Sequence, residues 1–166
     1  MGVERGAISR RHRSPKCVGR LKPVLMDNFC VYLDAGHGGL DALGHYTTAP
    51  SKMWHHPSGS FHHGSIFYEG AWNRTMLAAL TEELRQRHIE HLCVSHPWVD
   101  VPLIERVRRA NAAHAHYKRG LFISLHANAF NTHTRGWEIY HFPGSAMGRY
   151  LAEHHHQRTL HHLGDR

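Results

Sequence analysis

Two histidines stand where chemistry is possible. His126 closes the apolar run "LFISLHANA" at 121–129, and His37 closes "VYLDAGHGG" at 31–39. One imidazole after a buried strand is ordinarily a hydrogen-bonded polar residue. Two of them, each just past a parallel strand, reach one edge, because ligands of open parallel sheets gather beyond the carboxyl ends of the strands. Glycines 36, 38 and 39 allow a sharp turn beside the first histidine. Glu69 is the third candidate. It follows the apolar "SIFY" and opens the helix that starts "GAWNR", where the helix N-terminus favours a negative charge. Two imidazoles and one carboxylate, with a fourth position left open, form the ligand set of a catalytic zinc site. Structural zinc sites lean on cysteine, and Cys17, Cys30 and Cys93 lie away from this edge.

The elements that must position these residues follow from pattern. "FCVYLDAG" (29–36) and "HLCVSH" (91–96) read as strands, as do "LFISLHA" (121–127) and "GWEIYHF" (136–142). From Ala71 to about Arg87, Trp72, Met76, Leu77, Leu80 and Leu84 recur at helical spacing. A second helix is expected through "LIERVRRANAAHAHY", with Pro102 in its first turn and Asp100 as the cap. Pro143-Gly144-Ser145 predicts a turn, with Ser145 capping a last helix that runs to about Leu163. Strands alternating with helices predict an α/β fold around a largely parallel sheet. Residues 38–68 are rich in Gly, Pro, Ser and His and predict a long functional loop beside the cleft.

Composition narrows the classes. The net charge of +7 is uneven: residues 1–22 carry seven of the 20 Lys+Arg and one acid, Glu4, leaving 13 basic against 12 acidic residues elsewhere. The basic character therefore belongs to a tail, taken as residues 1–25, read as a solvated arm outside a domain at 26–166. No groove-reading motif accompanies it, so no specific nucleic-acid partner is expected. No apolar run reaches about 18 residues, so no membrane span is expected. The N-terminal arginines have no apolar stretch behind them. That predicts no signal peptide and a chain cytoplasmic as synthesised, reaching its target by release or another export route. Three cysteines without C-x-x-C spacing predict free thiols. Of the 20 histidines, the run His154, His155 and His156, with His161 and His162, reads as a surface feature of the last helix. His55, His56, His62 and His63 are read neither as a second metal site nor as substrate contacts. Trp54, Phe61, Phe67 and Tyr68 are expected to be buried more often than available for stacking.

"YLDAGHGG", "YEGAWNR", "LIERVRRAN" and "LFISLHANA" resemble, in that order, blocks of the zinc-dependent N-acetylmuramoyl-L-alanine amidases of the type-3 family. The resemblance runs from about Cys30 to Leu163. It implies a twisted, mostly parallel sheet with helices on both faces, and zinc held by the residues at His37, Glu69 and His126. It also implies peptidoglycan as partner and substrate, cleaved at the amide between N-acetylmuramic acid and the L-alanine of the stem peptide.

One family feature has no counterpart here. The resemblance implies a further glutamate, the general base and acid, on a late strand reading like "PAVLVELGF". No segment matches it, so the expectation is a domain incomplete at its C-terminus, lacking that last strand. Glu138 in "GWEIY" is the fallback base, and Glu153 is read as a solvated helix residue. Glu105, Arg106 and Asn111 are expected to act structurally. The alternative to an amidase is a metal-containing peptidoglycan-binding module that holds wall fragments without cleaving them.

Overall fold

The computed structural model describes residues 28–48, 52–55, 66–127 and 136–163. The basic tail, Phe61, His56, His62 and His63 lie outside the described residues. The chain divides into two units, 1–127 and 128–166.

In the first unit, β1 (Phe29–Ala35), β4 (His91–Cys93) and β5 (Arg119–Leu125) form a three-stranded parallel sheet in the order β4-β1-β5. The apolar content of β1 explains its central place, since a parallel strand covered on both faces needs an unbroken apolar run. Alternate residues of β1 serve opposite faces. Val31 and Leu33 pack with Leu84, flanked by Leu77 and Leu80, all from α1 (Glu69–Gln86). Cys30 and Tyr32 pack with Val94 and with Ala110 from α2 (Leu103–His114). Helices on both faces, as expected, thus bury one strand between them. Cys30 and Cys93 are free thiols.

The elements depart from expectation at four places. The long stretch after β1 holds an antiparallel hairpin of β2 (Met53–His55) and β3 (Ile66–Tyr68), pairing Trp54 with Phe67. Trp54 is exposed rather than buried, while Phe67 and Tyr68 are half-buried against Trp72 and Tyr46. Asp100 does not cap α2: Pro102 occupies the N-cap position, and the Asp100 carboxylate instead accepts hydrogen bonds from Thr48 and Arg106. The strand beginning at His91 stops at Cys93, after which Val94 and Ser95 turn into the protein.

The fourth departure lies in the second unit. Residues 136–142 form no strand, and Tyr140 and Phe142 are largely exposed. Apolar content predicts a strand only where a neighbouring strand takes up the backbone groups, and none pairs with this segment among the described residues. The turn that follows is as expected: the Ser145 hydroxyl accepts the Gly148 N–H (3.0 Å) at the start of α3 (Ala146–Leu163). Among the described residues, no helix is long and apolar enough to cross a membrane.

Candidate metal centre

Register explains why the two histidines meet. Ala35 of β1 pairs with Leu125 of β5, so the residues just past these positions leave the sheet at one level. Gly36 donates its N–H to the Leu125 carbonyl (3.0 Å), which carries the pairing one residue further. His126 then folds its ring over Gly36, where any side chain would overlap the imidazole. His37 follows with φ of 64°, a left-handed conformation that His tolerates better than most non-glycine residues. The two rings meet edge to face with centroids 4.9 Å apart.

Glu69 arrives from the other direction as the first residue of α1. Gly70 lets the helix begin against the turn, because a Cβ at that position would overlap the Gly38 carbonyl oxygen. Tyr46 fixes the same end by accepting the Gly70 N–H through its hydroxyl (3.0 Å). The Glu69 carboxylate is thereby set between the histidines. Its Oε1 lies 3.3 Å from His37 Nε2 and 3.1 Å from His126 Nδ1, and accepts the Ala127 N–H at 3.2 Å.

The electrostatics favour the ligand form of two of these groups. Burial pushes the His37 imidazole down, outweighing the pull of Glu69, so the ring is neutral at pH 7. Burial acts on Glu69 in the opposite sense, raising it. The hydrogen bond with His126, the field of His37 and the Ala127 N–H together outweigh burial and hold the carboxyl below its ordinary range. A neutral imidazole and an ionised carboxylate are the protonation states that a metal requires.

The donor spacing also fits an ion. A tetrahedral zinc with ligands at about 2.0–2.1 Å sets its donors roughly 3.4 Å apart. The ligand atoms of His37, Glu69 and His126 all lie within 4.8 Å of one another, the one such group among the described residues. Two imidazoles and a single carboxylate suit zinc better than calcium or magnesium, which prefer oxygen donors.

Behind the site, three side chains hold three successive carbonyls. Arg106 Nη1 donates to Ala35 O (3.1 Å), Asn73 Nδ2 to Gly36 O (3.0 Å), and Arg74 Nη2 to His37 O (3.0 Å). Arg106 is 3% exposed and paired with Asp34 at 2.8 Å, so its expected structural role is that of a buried brace. Glu105, paired with the exposed Arg108 and the half-buried Arg109, and the exposed Asn111 lie on the same helix. The signal for Asn73 and Arg74 was their place four and five residues after Glu69, one helical turn into α1.

Glu138 lies in the second unit. It is exposed and accepts a hydrogen bond from the Tyr140 hydroxyl at 2.7 Å, which raises the tyrosine pKa. Glu153 is exposed on α3, as expected.

Comparison with curated proteins and with solved structures gave no match. The family model described as N-acetylmuramoyl-L-alanine amidase matches residues 31–166, most of the chain and all of the site. The chain therefore belongs to the N-acetylmuramoyl-L-alanine amidase family.

Proposed function

We propose that this chain is a zinc-dependent peptidoglycan hydrolase cleaving the amide between N-acetylmuramic acid and the L-alanine of the stem peptide. One observation carries the reading: in a chain of this family, the Glu69 carboxylate lies within 3.3 Å of a nitrogen on each of two strand-end histidines. His37, Glu69 and His126 are the metal ligands in this proposal. When bound, zinc supplies a Lewis acid for the amide carbonyl and brings the pKa of an attacking water from about 15.7 towards 7. The protein's own part is to keep His37 unprotonated and Glu69 charged, so that the ion enters without displacing protons from either. Glu69, engaged by both histidines and the Ala127 N–H, is a ligand in this scheme rather than a base.

No residue is assigned as general base. Glu138 is the remaining candidate from the sequence, and its carboxylate is already engaged by Tyr140.

Zymography on purified cell walls tests the reading. Clearing that disappears with a chelator and returns with zinc is expected. Clearing that persists with chelator contradicts it, and binding to walls without clearing identifies the binding-module alternative.

A further inference from the structure

We propose that Arg74, with Arg106, is a positioning residue for the metal centre: the two guanidiniums clamp the carbonyl of His37 and so aim its imidazole. The inference rests on the proposed metal site and adds the device that builds its least ordinary ligand. His37 is a non-glycine residue with φ of 64°, a conformation that persists only where surrounding structure imposes it. Its own carbonyl is where that constraint is applied. Arg74 Nη2 donates to it at 3.0 Å and Arg106 Nη2 at 3.4 Å, and one carbonyl oxygen has lone pairs for both.

The clamp ties the His37 turn to the start of α1, which carries Glu69, and to the segments that follow β4. Arg74 also donates to Gly70 O (2.8 Å), at the helix start that carries Glu69, and to His96 O through Nη2 (2.7 Å) and Nε (3.1 Å), past the end of β4. Arg106 reaches Val101 O (2.7 Å), Ala35 O (3.1 Å), Asp34 (2.8 Å) and Asp100 (3.0 Å). Asn73, fully buried, completes the set on Gly36 O. The peptide groups on both sides of His37 are therefore held, which sets the direction in which its Cα–Cβ bond leaves the turn.

Arginine is required rather than a cation in general. The planar fork presents several donors at fixed angles, whereas a lysine ammonium is a compact point charge on a flexible stem. A lysine at position 74 cannot hold the carbonyls of residues 37, 70 and 96 together.

The test uses the full chain and its Arg74→Met and Arg74→Lys variants. Three quantities are read: the zinc dissociation constant by competition with a coloured chelator, the visible spectrum of the cobalt-substituted protein, and the melting temperature of the metal-free protein. Both variants should bind zinc about 10–100-fold more weakly and show altered cobalt bands, which a purely structural role would not change. If Arg74→Met does not fold, Arg74→Lys decides alone. Zinc affinity and cobalt spectrum unchanged in a folded Arg74→Lys overturn the clamp, and so does rescue of a weakened Arg74→Met by lysine. A failure of the metal site itself is distinct. In that case the unmodified chain binds no zinc, or binds it equally after joint replacement of His37 and His126 by alanine.

Discussion

The molecule carries two groups of histidines, and they differ in what surrounds them. His37 and His126 are 89 positions apart in number, yet their rings meet at 4.9 Å with the Glu69 carboxylate beside both. His154, His155 and His156 are consecutive on α3, and all three are exposed. Successive residues of a helix point about 100° apart, and these three do not bring their ligand atoms together as His37, Glu69 and His126 do. Their rings turn to aromatic neighbours instead: His155 and His156 lie against Trp137, and His154 stacks on Tyr150. A metal site is made by topology that aims side chains at one point. Histidine density alone does not make one.

The largest effect expected from this contrast is on metal content. Replacing His37 and His126 by alanine should remove the bound zinc seen by elemental analysis. Replacing His154, His155 and His156 should leave one tightly held ion per chain. Zinc that survives the first change and disappears with the second would transfer the site to α3.

The next effect concerns the brace. Arg106→Ala leaves Asp34 buried without its cation, and breaking a buried pair in this way costs about 3–5 kcal/mol. Denaturant unfolding of the metal-free chain should show that loss. A loss no greater than that of an exposed substitution would mean that Arg106 does not support the turn. Gly36→Ala should cost less, about 1–3 kcal/mol from overpacking. Its larger consequence is to push the His126 ring out of line, so zinc affinity should fall more than stability does.

The pH response should report on His37 and Glu69. His37 and Glu69 both have pKa values below their ordinary ones in the folded chain, so the unfolded chain binds more protons as the pH falls. Metal-free stability from these groups is complete above the unfolded histidine value of about 6.5. It declines as pH drops through the folded pKa of His37, and again as Glu69 protonates below its ordinary range. His37→Ala should flatten the first of these declines in a chemical-denaturation series. An equally steep decline in that variant would assign it to other groups.

The smallest effect belongs to Glu105. Its hydrogen bonds to Arg108 and Arg109 hold its carboxyl down at about 2, but the carboxylate is partly exposed and its Arg108 partner lies in solvent, where such pairs are well screened. Glu105→Gln should keep both melting temperature and zinc content. Loss of metal-dependent turnover at an unchanged melting temperature would contradict the structural role.

How far the sequence speaks follows the same division. The ends of β1 and β5 and the start of α1 were legible because each is marked by an abrupt change from apolar residues to glycine, histidine or glutamate. Those marks locate His37, Glu69 and His126 without any knowledge of register. Asn73 and Arg74 were not legible, and of Arg106 only a structural role was, because a polar residue in an amphipathic helix looks the same whether it meets water or a neighbouring carbonyl. The segment 136–142 misled for the opposite reason. Its alternation is that of a strand, but a strand exists only with a partner, and pairing is not written in the segment itself.

The most direct test is the bond that breaks. Muropeptides digested with the full chain in the presence of zinc should yield, by mass spectrometry, free stem peptides beginning with L-alanine and glycan strands of unchanged length. The same digest with chelator, or with the His37 and His126 alanine variant, should yield neither product above background. Cut glycan strands with the lactyl–peptide amide intact, or stem-peptide release indifferent to both treatments, would contradict a zinc amidase built on these three residues.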